Sequence, residues 1–250
     1  MRAFGDPGAQ ELVCLHGVTG WGGHFAGLAE LLGAAYRVLA PDLLGHGDSP
    51  REPPWRIDQH VESVAVSIGQ GRRTWIGHSF GGRVAFEHAA ARPDEVERLV
   101  LLDPAIFVPG HVALLSAENA RAERRYASFD EAIERRFDES QLHRADRELV
   151  AAELEGHLEE TADGWRYRYS QAAVVTAYGD VAVPPPPFAA VRIPTLLVLG
   201  EDSYLSYDHL LDAHRDAVGD LLRVATVPGG HTVLWDAPSE TARAIADFLA

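Results

Sequence analysis

Gly77-His78-Ser79-Phe80-Gly81 sets a serine between two glycines, directly after the apolar run Thr74 to Ile76 and before the helical pattern Arg83 to Ala91. A serine in that place can serve as a nucleophile, because a sharp strand-to-helix turn lifts its hydroxyl above a sheet. The glycines are a steric requirement of such a turn, since larger residues there would collide with neighbouring backbone. The competing structural reading is an ordinary glycine-rich turn, and the flanking strand and helix favour the nucleophile over it. A phosphate-binding loop is disfavoured, because its spacing and its Lys-Ser/Thr ending are absent.

The elements that must position Ser79 read as an alternating pattern. Leu12 to Leu15, Val38 to Ala40, Thr74 to Ile76, Leu99 to Leu102 and Leu196 to Leu199 are short apolar runs of the kind that parallel strands buried on both faces show. Between them, Phe25 to Leu32, Val61 to Ile68, Arg83 to Ala91, Leu210 to Ala217 and Glu240 to Phe248 carry helical periodicity. This predicts a doubly wound α/β core: a mostly parallel central sheet flanked by helices. The alternation stops after Asp103-Pro104 and resumes at Pro194-Thr195. The core is therefore expected over 1–103 and 194–250, with an inserted, mostly helical cap over 104–193. Within the insertion, Ser128-Phe129-Asp130-Glu131 has capping-box spacing, and Asp146 to Leu158 carries Leu149, Leu154 and Leu158 amid charges. Pro184 to Pro187 favours an extended return to the core.

The composition narrows the classes of function. With 250 residues, 46% hydrophobic and 24% charged, the chain can bury a large core. Its 22 Lys+Arg against 37 Asp+Glu leave a net charge of −15, a field that repels nucleic acid and anionic membranes. No apolar run has signal-peptide or bilayer-spanning length, so a cytoplasmic protein without membrane partners is expected. Cys14 is the single cysteine, which excludes an intrachain disulfide; Leu12, Val13 and Leu15 around it suggest a buried strand thiol.

From about Leu12 to Phe248 the chain resembles the α/β-hydrolase superfamily, on the serine motif and on three more that follow the expected order. His16-Gly17-Val18-Thr19-Gly20-Trp21 resembles the oxyanion loop, which implies oxyanion donors at the backbone N–H of Val18 and of Phe80. His16 would then orient the loop. Pro41-Asp42-Leu43-Leu44-Gly45-His46-Gly47-Asp48-Ser49 resembles the turn after the next strand, where the polar side chains would stabilise the turn. Val227-Pro228-Gly229-Gly230-His231 is similar to the loop that carries the catalytic histidine, making His231 the base. Relatives place the acid three or four residues past a glycine after the strand Leu196 to Leu199. Here Gly200-Glu201-Asp202-Ser203-Tyr204 puts Ser203 or Tyr204 there, with Asp202 one residue early. Asp103, at the end of Leu99 to Leu102, is the alternative acid, and Asp202 is ranked above it.

The resemblance implies a cofactor-independent, carboxylesterase-like serine hydrolase with a small-molecule substrate. It would cleave an ester, thioester, lactone or related acyl bond through an acyl-enzyme on Ser79. The same fold also carries carbon–carbon bond hydrolases, acyltransferases, other non-esterase chemistry and non-catalytic ligand binders. Dehalogenases and epoxide hydrolases are disfavoured because they usually carry Asp at the nucleophile position. Trp21, Tyr126 and Trp165, together with Phe80, Phe129, Tyr167 and Tyr169, are candidate pocket residues, while packing is the simpler role for most of these aromatics. The Arg/Glu-rich stretch Arg121 to Arg136 reads as a solvated helix face rather than an anion site. No metal-ligand constellation with recognisable spacing is seen. Oligomeric state, substrate and leaving group stay open.

Overall fold

A computed structural model describes residues 1–142 and 144–250. The strands β1 (Arg2–Phe4), β2 (Gln10–Leu15), β3 (Tyr36–Ala40), β4 (Arg73–His78) and β5 (Val96–Leu102) alternate with the helices α1 (Ala26–Leu32), α2 (Ile57–Ile68) and α3 (Phe80–Ala91). The stretch after β5 holds α4 (Gly110–Asn119), β6 (Arg125–Tyr126), α5 (Phe129–Glu139), α6 (Arg147–His157), β7 (Leu158–Thr161), β8 (Gly164–Tyr167) and α7 (Gln171–Val181). The pattern resumes with β9 (Thr195–Gly200), α8 (Asp208–Val218), β10 (Leu222–Val227), α9 (Val233–Asp236) and α10 (Pro238–Leu249).

Seven strands form one sheet in the order β1-β3-β2-β4-β5-β9-β10. All neighbours run parallel except β1, which pairs antiparallel with β3. That edge strand lies outside the predicted set, because three residues with one large apolar side chain give no periodic signal. Successive residues of the central strands feed opposite faces. Val13, Leu15, Trp75, Leu99, Leu101 and Leu197 pack with α2 and α3, while Leu12, Cys14, Ile76, Val100, Leu102 and Val198 pack with α1 and α10. Cys14 is fully buried there, and burial pushes its thiol pKa up.

β5 and β9 are neighbours in the sheet, so the segment between them is an insertion at one edge of the site rather than a break in the core. It is less helical than expected. β6, β8 and β7 form a three-stranded antiparallel sheet, in which Glu160 and Thr161 pair with Trp165 and Gly164 across a tight turn. Such short strands, rich in charge and lacking an apolar run, are invisible to periodicity. The helical signals within the segment do correspond to helices. Ser128 Oγ accepts the Glu131 N–H at 3.1 Å at the start of α5, and Asp146 Oδ1 accepts the Glu148 N–H at 2.7 Å at the start of α6.

Candidate active site

The C-terminal ends of β2, β4, β5, β9 and β10 converge, the usual place for a ligand site in a parallel sheet. At the end of β4, Ser79 adopts φ 54° and ψ −119°, a left-handed conformation uncommon for a residue with a side chain. Its N–H donates to Leu102 O at 3.0 Å, and its carbonyl accepts from Gly82 and Ala105, both at 3.0 Å. A Cβ at Gly77 would sit 2.4 Å from Gly81 O, and one at Gly81 2.2 Å from Leu15 O. Both glycines are thus fixed by close backbone approach. Arg83, on the first turn of α3, is buried and donates through Nη1 to Ile106 O at 2.5 Å and Val183 O at 2.9 Å. The helix that follows Ser79 is thereby tied to both ends of the insertion.

His231 lies over the serine. The Ser79 hydroxyl is 2.9 Å from His231 Nε2, and His231 Nδ1 is 2.6 Å from Asp103 Oδ2. With a carboxylate at Nδ1, that nitrogen carries the proton and Nε2 is left as the acceptor for the hydroxyl. Asp103 is itself strained, at φ 41°, and almost fully buried. Its Oδ1 accepts the Gly200 N–H at 3.1 Å, and its Oδ2 also accepts the Ser203 hydroxyl at 2.5 Å. The preference for Asp202 is therefore corrected. Asp202 is exposed on the turn after β9, its N–H donating to Gly229 O at 2.9 Å, while the residue next to it, Ser203, points inward to Asp103. A serine standing where an acid was expected was the sequence signal for this arrangement.

The loop around Val18 is held by neutral histidines. Leu43 N–H donates to His16 Nε2 at 2.9 Å, so His16 Nδ1 carries the proton and donates to Gly17 O at 2.8 Å. His46 Nε2 lies 2.7 Å from Val18 O, fixing the Val18 backbone from the following turn. Burial lowers the pKa of both rings, that of His16 well below the ordinary histidine range. Val18 and Phe80 both line the cavity above Ser79. Phe80 is the first residue of α3, and an N–H at that position has no acceptor within its own helix. His78, directly before the serine, donates from Nε2 to His231 O at 3.0 Å and so braces the histidine loop, a contact for which the sequence offered no signal.

The cavity holds about 180 Å³. Its wall includes Ser79, His231, Val108, Tyr178, Tyr204 and Trp235. Three expected wall residues belong elsewhere. Trp21 is buried against His157, ring centroids 5.7 Å apart; Tyr126 is buried in the insertion's own apolar cluster; and Trp165 packs on Phe129 at 5.4 Å. Tyr126 and Trp165 pack with the small insertion's own core, and Trp21 packs between that insertion and the main sheet's loop. The stretch Arg121 to Arg136 is likewise only partly a solvated face. Arg121, Arg125 and Arg135 are exposed, but Arg136 is 3% exposed, and both Arg124 and Arg136 line the cavity.

Among the described residues, His24, Glu153 and His157 bring metal-ligand atoms within 4.8 Å of one another, a grouping the sequence reading missed. Glu153 Oε1 is already occupied by donors: His24 Nε2 at 2.5 Å, His157 Nδ1 at 2.8 Å and Trp21 Nε1 at 3.0 Å. Arg136 Nη2 lies 3.9 Å from its other oxygen. A carboxylate saturated by N–H groups beside a guanidinium fits a hydrogen-bonded ion cluster better than a cation site. Burial accordingly lowers the pKa of His24, and that of His157 to about 4.

The comparisons with known proteins agree with this fold. Residues 12–244 match the model of the alpha/beta hydrolase family. The chain is 34% identical to lipase LipV of Mycobacterium tuberculosis, across 100% of this chain and 97% of that protein. It is 30% identical to the sn-1-specific diacylglycerol lipase ABHD11 of Mus musculus, across 98% of this chain and 83% of that protein. Among solved structures, E-2-(acetamidomethylene)succinate hydrolase superposes with a TM-score of 0.88 at 22% identity, covering 99% of this chain and 93% of the other, a likeness of fold. No helix among the described residues is long and apolar enough to cross a membrane. By its family match, its two lipase relatives and its sheet order, the chain belongs to the alpha/beta hydrolase family.

Proposed function

We propose that the chain is a serine hydrolase that cleaves a carboxylic ester or related acyl bond through an acyl-enzyme on Ser79. The observation that carries this reading is the unbroken hydrogen-bond chain from Ser79 Oγ to His231 at 2.9 Å and from His231 to Asp103 at 2.6 Å. As Ser79 Oγ attacks the acyl carbon, its proton passes to His231 Nε2 and then to the leaving group. Water, deprotonated by the same nitrogen, releases the acid. Asp103 holds the imidazole tautomer and stabilises the imidazolium, and the N–H groups of Val18 and Phe80 receive the developing oxyanion. Residues 104–193 act as the cap that closes the pocket, and the scheme consumes only substrate and water.

The names of the two lipase relatives support acyl-ester cleavage. The small cavity favours a short acyl group over a long lipid chain, since pockets for drug-sized ligands run to about 300 Å³ or more. The test is hydrolysis of p-nitrophenyl butyrate by the unmodified protein and by Ser79→Ala. A loss of about 10⁴-fold or more is expected from the variant. Equal rates from both proteins would sink the reading.

A further inference from the structure

Arg136 is the most conspicuous charged group that the scheme above leaves unused. It lies on the inner face of α5 with Ala132 and Ile133, its side chain 3% exposed, in the wall of the cavity that holds Ser79 and His231. Its guanidinium carbon sits 5.3 Å from the Trp235 ring and 5.6 Å from the Tyr167 ring, so two aromatic faces hold the group in place. Its hydrogen bonding is poor for a buried cation. Nη1 reaches Tyr167 Oη only at 3.5 Å, Nη2 stands 3.9 Å from Glu153 Oε2, and Nε has no acceptor among the described residues. A charge-assisted N–H···O contact closes to about 2.7–2.9 Å.

Glu153 relieves this deficit only in part, because its Oε1 is committed to His24, His157 and Trp21 and its Oε2, 3.9 Å from Arg136 Nη2, gives an ion pair without a hydrogen bond. Burial opposes the charge on Arg136, yet the nearby Glu153 carboxylate favours it, and the group is held protonated, above its ordinary value. Arg124 and Glu139 line the same wall as an ion pair at 3.2 Å, which leaves Arg136 as the cation there without a close carboxylate. A buried, ring-clamped guanidinium with donors left over by the protein is a costly arrangement, and a planar anion supplies what it lacks.

Resting on the serine-hydrolase reading, we infer that the physiological substrate is an acyl compound bearing a free carboxylate, and that Arg136 receives this carboxylate while the acyl carbon faces Ser79. Arg136 is then a specificity-determining residue. A cavity of about 180 Å³ suits a short dicarboxylic half-ester.

The probes are monomethyl glutarate and its neutral counterpart methyl pentanoate, titrated calorimetrically into the Ser79→Ala protein so that no turnover intervenes. The half-ester is expected to bind about 10-fold tighter or more, the difference that one buried charge-assisted pair supplies. Adding Arg136→Gln should abolish that preference, and Arg136→Lys, which keeps the charge without the planar fork, should retain only part of it. In the active enzyme, the ratio of kcat/KM for the two esters should fall by a similar factor in Arg136→Gln. Equal binding of the two esters by Ser79→Ala, which needs no change at Arg136, overturns the inference, as does a preference that survives in Arg136→Gln. If hydrolysis of p-nitrophenyl butyrate depends on Ser79 but the preference is missing, only the carboxylate site fails. If the preference is present without Ser79-dependent hydrolysis, only the serine reading fails.

Discussion

Two buried charged groups stand by the same cavity, Arg136 in its wall and Asp103 behind His231, and their surroundings differ in kind. Asp103 is met by His231, Ser203 and the Gly200 N–H, with every contact at 3.1 Å or shorter. Arg136, in the insertion, meets Tyr167 at 3.5 Å and Glu153 at 3.9 Å and leaves Nε unsatisfied. The first group is locked by donors built on strand ends and has nothing left to offer a ligand, so its work is to orient another residue. The second is clamped by rings but underpaired, as a group that awaits a partner must be. Degree of satisfaction, more than burial, separates a positioning role from a binding role here.

The sharpest way to break the comparison is at Asp103. Asp103→Asn preserves the shape but removes the charge that sets the His231 tautomer, and should lower kcat about 10⁴-fold. Esterase kinetics on p-nitrophenyl butyrate check this, and a variant within tenfold of the parent would return Asp103 to a structural role. Next in size is Glu153→Gln, which leaves the Arg136 charge without its counter-ion. A stability loss of about 3 kcal/mol in urea unfolding is expected; no loss would mean that Arg136 is balanced by something other than Glu153.

Acid should act on the histidine-rich side of the site. His157 titrates at about 4 in the folded protein against 6.5 ordinarily, and His16, His24 and His78 are also lowered by burial. The unfolded chain therefore binds protons first as pH falls. The stability that keeping these histidines neutral contributes is complete above about pH 6.5 and declines from there toward pH 4, by on the order of 3 kcal/mol for His157. Urea midpoints measured across that window check the slope, and a midpoint that rises on acidification contradicts it. Smaller again is Ser203→Ala, which removes one of the donors on Asp103 and should reduce kcat about 10-fold. Asp202→Asn should leave kcat within about twofold, as expected for an exposed carboxylate outside the site.

The contrast between the two groups also marks what the sequence made legible. Ser79, His231, the Val18 loop and the parallel core were readable because strand ends in a parallel sheet fix chain order and spacing together. Asp103 was visible as an alternative acid but ranked second, since a one-residue shift at Asp202 was indistinguishable from a relocated acid until Ser203 was seen turned inward. The insertion resisted reading for a different reason. Its helices announced themselves by caps at Ser128 and Asp146, but its strands are short, and although helical spacing puts Arg136 on the face of Ala132 and Ile133, an arginine there gives no sign of what it packs against. Only the packing of α5 against Trp235 and Tyr167 shows that.

The most direct test of the central claim is peptide mapping by mass spectrometry after treatment with a neutral fluorophosphonate. The account predicts a single adduct on the peptide that contains Ser79, forming far more slowly in Asp103→Asn. A folded protein that stays unmodified, or carries the adduct on another residue, would contradict it.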